Sequence, residues 1–353
     1  MALRELPTVE VDKRQAPWSG NGRYGAAHAR PRDAYKDVPI LKPPTWSHEI
    51  AAYFYLGGIS SGAYVLAGAA EAMGGQRYKP LARVAHYVSV ATMLPCPALL
   101  IADLGKRSRF HHMLRIVKPS SPMNLGAWAL TVHGAMATLT AVRVLAGEGK
   151  LPLLGPVISL LPERALAVAG LPSALTLGGY TGVLLGTSSV PAWFKSPLLG
   201  GLFMASAMST GAAAAKLAAA LGGLEQRRSD PALKLIGVAS GLTEGALLGG
   251  YLATSGPAAA AYGKGRPRLL MAGAAAALCA GTALEIVRSR VNGAGRVMGI
   301  AAAAATLAGG ALLRWAVVTA GHPSSQDRDV TLEVMKPAPE APGWTPSGDG
   351  VEK

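Results

Sequence analysis

Residues 45–73 read TWSHEIAAYFYLGGISSGAYVLAGAAEAM, and from Ile50 to Ala70 this stretch holds no charged side chain. A helix rises 1.5 Å per residue, so a run of this length crosses the roughly 30 Å of hydrocarbon in a bilayer. The stretch therefore reads as a transmembrane helix over about 48–73. The same pattern returns at about 81–104, 125–146, 170–190, 198–221, 232–253, 269–287 and 297–320. The expected fold is all-α, a polytopic membrane protein of about eight transmembrane helices in a bundle. Glycine and alanine fill the spans, and small residues let helices pack closely in lipid. Residues 151–169, with LPLLGP and the Pro162-Glu163-Arg164 break, read as a shallow re-entrant or interfacial piece.

Charge is sparse and clustered: 15% of residues are charged, against 50% hydrophobic. The net charge of +14 would suggest nucleic acid in a soluble protein, but the basic residues lie in loops beside apolar spans, so membrane topology accounts for them. Of the 34 lysines and arginines, 20 fall in the two tails and the alternate loops on the same side, against 11 in the others. This asymmetry places both termini in the cytoplasm. Tails 1–45 and 321–353, rich in proline, glycine and charge, are expected to be extended around a membrane domain at 46–320. With no apolar segment before residue 48, the first span is expected to direct insertion. Cys96 and Cys279 sit apart inside apolar spans and form no iron–sulfur framework.

Ionisable groups inside a membrane are costly and therefore candidates for function. Glu49, Glu71, Asp103, His133, Arg143, Lys216, Glu244, Glu285 and Arg314 lie within or at the ends of spans. Arg143, Glu285 and Arg314 read as snorkelling or interfacial pairs. Glu49 and Tyr53, four apart, share a helix face where a carboxylate and a phenol could bind a quinone carbonyl or take a quinol proton. The alternative makes Trp46, Tyr53 and Tyr55 belt aromatics and leaves Glu49 solvated. Gly57, Gly58 and Gly62 would admit a flat ring or a neighbouring helix. Asp103, followed by Lys106, Arg107 and Arg109, is either an interfacial ion pair or a proton acceptor. His133, Lys216 and Glu244 lie deeper, as a relay or with Glu244 and Lys216 as a structural ion pair.

Several motifs occur in order from residue 46 to about 220: Trp46 with Glu49, Tyr53-Phe54-x-Leu56-Gly57-Gly58, Asp103-Leu104-Gly105…Arg109-Phe110, Lys118-Pro119-Ser120-Ser121-Pro122-Met123…Gly126-Ala127-Trp128, Tyr180-Thr181-Gly182-Val183-Leu184-Leu185, and Ser196-Pro197-Leu198-Leu199 followed by Ala205-Ser206-Ala207. Together they resemble the NrfD-type membrane subunits, which include that of polysulfide reductase. The resemblance implies two four-helix halves and a site for menaquinone or ubiquinone near one face. It implies quinone binding by Glu49, Tyr53 and Tyr180; Asp103 and Asn124 join them as candidates, and the ionisable Glu49, Asp103, His133, Lys216 and Glu244 are read as the proton path. In the polysulfide reductase relative an Asn and a His in the first span and a Tyr in the fourth hold the quinone. Glu49 and Tyr53 stand where that Asn and His would be. The implied partners are a ferredoxin-like iron–sulfur subunit and a molybdenum-containing catalytic subunit or multihaem cytochrome, in the bacterial inner membrane, with no metal or haem in this chain.

Three other readings stand beside it. A haem subunit would need His86 and His133 at one depth, whereas helical rise separates them by roughly 10 Å. A secondary transporter would use the break at Pro95 and Pro97 and the glycines 241 and 245 flanking Glu244. A plain membrane anchor would tolerate replacement of Glu49 and Tyr53.

Overall fold

The computed structural model describes residues 40–73, 77–153, 155–194, 196–222, 230–288 and 295–335. Eight of its helical stretches are long and apolar enough to cross a membrane. The first is α1 (His48–Met73), and the second is made by α2 (Lys79–Met93) and α3 (Cys96–Asp103). The third is α4 (Pro122–Gly147). After the short α5 (Gly155–Ile158), α6 (Glu163–Ala169) and α7 (Leu171–Gly186) form the fourth. The others are α8 (Leu198–Leu221), α9 (Asp230–Thr254), α10 (Gly265–Val287) and α11 (Gly295–Gln326). A last helix, α12, covers Arg328–Val334.

Local chemistry fixes several boundaries. Ser121 caps α4 by accepting from the Asn124 amide, and Pro122 takes a first-turn place where its missing N–H costs nothing. Pro95 interrupts the second span without ending it, because the Leu94 N–H still reaches Val90 and the Leu99 N–H reaches Pro95. The result is a kink rather than two separate spans.

Two expectations are corrected here. The fourth span begins at Glu163, so the second part of the supposed interfacial segment 151–169 is membrane helix. The first part is the short α5, beside α4. The tail expected to be extended from 321 is helical through α11 to Gln326 and again in α12, where Asp327 caps by accepting from the Val330 amide at 3.1 Å. Hydropathy ends where polar residues begin, and a helix can run on past that point. Of the N-terminal tail, residues 1–39 lie outside the described residues, and 40–47 contain no helix.

The spans associate as two groups of four. In one, α1 packs on α2, α3, α6 and α7, while α4 packs on α2 and α7. In the other, α8, α9, α10 and α11 pack in a ring of neighbours. The groups meet chiefly where α1 lies along α8, with α2, α7 and α11 adding contacts. That crossing explains Gly62: a Cβ there would run into the Ala207 backbone, and one at Gly211 into the backbone of Gly62 and Ala63. The small residues of the first span thus admit a neighbouring helix. Large apolar side chains such as Leu94, Leu235, Leu269 and Val297 point outward, as lipid contact requires.

Candidate functional site

The start of α1, the end of α3, the start of α4 and the end of α7 gather at one end of the first group, together with the candidate quinone residues. Asp103 finds its partner in Ser47, whose amide donates to Oδ1 at 3.3 Å and whose hydroxyl donates to the same oxygen at 2.6 Å. Among the described residues Asp103 makes no ion pair, and Arg107 instead donates to the Ala102 carbonyl. Glu49 lies near the same Ser47, which places it close to Asp103. The segment is held in place by Trp46, stacked on Trp193 at 5.3 Å and edge-on to Phe54 at 6.4 Å. Trp193 in turn donates its indole N–H to the Val317 carbonyl at 2.8 Å.

Tyr53 lies one turn deeper and is only 2% exposed, which removes it from any interfacial belt. Its hydroxyl makes no hydrogen bond among the described residues, and its surroundings include Cys96 and Tyr180. Tyr180 and Asn124 are engaged elsewhere. The Tyr180 hydroxyl donates to the Pro122 carbonyl, over Gly126, where any Cβ would collide with the phenol ring. Asn124 donates to the Met113 carbonyl at 2.6 Å and accepts from the Lys118 amide at 2.7 Å, pinning the basic loop. Beside these groups, between the kink and α4, opens an apolar cavity of about 320 Å³. Its lining residues Met93 and Leu130 belong to the same packed cluster as Tyr53 and Cys96.

The family described as polysulphide reductase, NrfD matches residues 39–323. The chain belongs to the NrfD family. It is 30% identical over 175 residues to the C component of polysulfide reductase from Wolinella succinogenes, covering 47% of this chain and 55% of that one. It is 27% identical to the Escherichia coli K12 protein NrfD over 200 residues, 53% of this chain and 62% of that one. To the C component of selenate reductase from Mesobacillus selenatarsenatis it is 22% identical over 241 residues, 60% and 56% respectively. The chain spans little more than half the length of these relatives.

In this NrfD-family protein the deeper charges fall into separate places. His133 lies in the first group, its Nε2 paired with the Ser60 hydroxyl at 3.0 Å, and Ser60 also meets Ser89 at 3.2 Å. His86 and His133 both pack edge-on to Tyr64, at 5.4 and 5.5 Å, so they share a neighbour although residue counting separates their depths. Both ring nitrogens of His86 are buried without a hydrogen-bond partner among the described residues. Lys216 and Glu244 belong to the second group and, among the described residues, make no ion pair with each other, which was one of the two arrangements the sequence left open. Lys216 pairs with Glu285, which also accepts from Arg288 at 2.8 Å. Glu244 accepts from Ser209 at 2.6 Å and lies beside Ser206.

Arg314 is the residue that sequence reasoning misplaced. It is 1% exposed, donates to the Ser206 hydroxyl at 2.7 Å and the Phe203 carbonyl at 3.1 Å, and lies 4.2 Å over the Phe203 ring. Snorkelling fails because α11 continues twelve residues beyond it, to Gln326. The signal in the sequence was the pair Ser206 and Ser209, which offer hydroxyls inside an otherwise apolar span. Among the described residues no group of three or more metal-ligating side chains is assembled.

Proposed function

We propose that this protein is the quinone-handling membrane subunit of a respiratory oxidoreductase. The observation that carries the reading is Tyr53, a buried phenol without a hydrogen-bond partner among the described residues, one turn below the Glu49, Ser47 and Asp103 cluster. A quinone carbonyl accepts a hydrogen bond, and the Tyr53 hydroxyl has one to donate. Glu49 and Asp103 exchange the protons that accompany quinol oxidation or quinone reduction, two for each pair of electrons. The apolar cavity beside Met93 and Leu130 suits the isoprenoid tail. Tyr180 and Asn124, engaged by backbone, position the site's walls in this reading rather than touching the quinone head.

The electrons pass to or from a ferredoxin-like iron–sulfur subunit, and through it a molybdenum-containing catalytic subunit or multihaem cytochrome. The names of the relatives, which are components of reductases for polysulfide and selenate, support this class of partner. The test is fluorescence-detected binding of a menaquinol analogue to the purified complex and to a Glu49→Gln, Tyr53→Phe variant. Loss of binding in a folded variant supports the site. Unchanged binding moves the quinone elsewhere, and no binding by the parent complex leaves a plain anchor.

A further inference from the structure

A second cavity, of about 540 Å³, opens at the same membrane face but between the groups, where the start of α1 meets the start of α10 and the late part of α11. It shares Trp46 and Ser47 with the quinone site, but the quinone reading does not use the cavity itself. We propose that it binds the phosphate headgroup of an anionic phospholipid.

Its depth is that of a headgroup. The walls at Pro44 to His48 and at Arg266 and Pro267 come from the starts of spans, and among them is Trp46, the side-chain type most enriched where hydrocarbon gives way to water. Its charge is one-sided. Arg266, His48 and His322 line it and no carboxylate does. Among the described residues Arg266 has no ion pair or side-chain hydrogen bond, and neither have its neighbours Lys264 and Arg268. The His48 ring is also prepared to donate. The Trp315 indole N–H donates to His48 Nδ1 at 3.2 Å, so in the neutral imidazole the proton resides on Nε2 and is free to meet a phosphate oxygen. Apolar wall residues such as Val318 suit the adjoining glycerol and acyl region. A neutral quinone offers the guanidinium a hydrogen-bond acceptor but no charge, whereas a phosphate offers both, and the volume falls in the usual range of about 300–1,000 Å³ for small-molecule sites.

The test uses the full-length protein, purified in nonionic detergent and delipidated, with tryptophan quenching by phosphatidylglycerol brominated near the headgroup. Brominated phosphatidylcholine is the neutral probe. Phosphatidylglycerol is expected to half-quench at about fivefold lower concentration than phosphatidylcholine, the worth of one interfacial arginine. Arg266→Gln should abolish that difference, and Arg268→Gln, outside the cavity wall, should leave it. Thermal unfolding establishes that both variants are folded. Equal quenching by the two lipids, or an unchanged preference in Arg266→Gln, overturns the proposal. Displacement of the lipid by millimolar inorganic phosphate alone would make this a free-anion site. Displacement by a menaquinone analogue, equal in parent and Arg266→Gln, would give the cavity to a quinone.

Discussion

Lys216 on α8 pairs with Glu285 on α10, and Arg288 holds the other oxygen of the same carboxylate at 2.8 Å. One carboxylate therefore serves two cations near the end of the second group, all three side chains being 10% exposed or less. This asymmetry decides which member is indispensable. Removing one partner of a buried pair leaves an uncompensated charge, and the cost depends on how many charges are left.

Glu285→Gln should therefore destabilise the protein more than Lys216→Met. The first removes the carboxylate that Lys216 and Arg288 share, the second leaves Glu285 with Arg288. The expected loss for Glu285→Gln is about 3–5 kcal/mol, with Lys216→Met well below it. Thermal unfolding in detergent checks the order. Equal losses would show that Lys216 and Glu285 act as an isolated pair.

Arg314 makes the corresponding argument in the middle of the bundle. Arg314→Met keeps the volume over Phe203 but leaves Glu244 without its nearby cation. The single change should cost several kcal/mol, and adding Glu244→Gln should recover part of it. A double-mutant cycle on unfolding midpoints measures the coupling, and a purely additive result would mean that the two groups do not sense each other.

These pairings were not legible in the sequence, whereas the spans were. Eight apolar runs announce themselves through length and absence of charge, which local composition determines. Which carboxylate Lys216 meets depends on the rotation of α8 and α10 about their axes, and a run composed largely of alanine and glycine has no marked apolar face from which to read that rotation. Arg314 was misplaced for a related reason, since hydropathy ends the last span near 320 while α11 continues to Gln326. The candidate site was half legible: Glu49, Tyr53 and Asp103 assemble at one end, but Ser47, which holds Asp103, gave no signal of its own.

His86→Leu should leave the fold intact and raise its stability by about 1 kcal/mol. Both ring nitrogens of His86 are buried without hydrogen-bond partners among the described residues, so the wild type bears a desolvation cost that leucine removes. His133→Leu should do the opposite, since it breaks the bond to Ser60. Unfolding midpoints of the two variants separate the cases. A lowered midpoint in His86→Leu would reveal an interaction that the ring makes in the assembled membrane protein.

Glu148, just beyond α4, supplies a pH dependence. Its carboxyl is held below the ordinary value of 4.5, first by the close contact with Lys150 and then by the charge of Arg83. A folded-state value below the unfolded one means stability that is present in full above pH 4.5 and lost as pH falls through the folded value. Glu148→Gln should therefore lower the unfolding midpoint at pH 7 and match the parent in acid well below pH 4.5. A difference independent of pH would assign the effect to packing.

Ser47→Ala tests the candidate site without touching a charge. The hydroxyl spans the gap between α1 and α3 by donating to Asp103 at 2.6 Å, while the backbone amide keeps a second, longer bond to the same oxygen at 3.3 Å. Alanine removes the stronger link, retains the weaker one, and frees Asp103 to turn towards Lys106, Arg107 or Arg109. Stability should fall by only about 1 kcal/mol, the net worth of one partly buried hydrogen bond. Quinol affinity should fall further, roughly tenfold, because a carboxylate no longer held next to Glu49 must be reordered each time the head group binds. Ser47→Thr, which restores the hydroxyl, should recover most of the affinity. Titrating the menaquinol analogue against all three forms of the complex measures this. If affinity and stability change in proportion, Ser47 merely ties two helices together, and the quinone does not depend on where Asp103 is held.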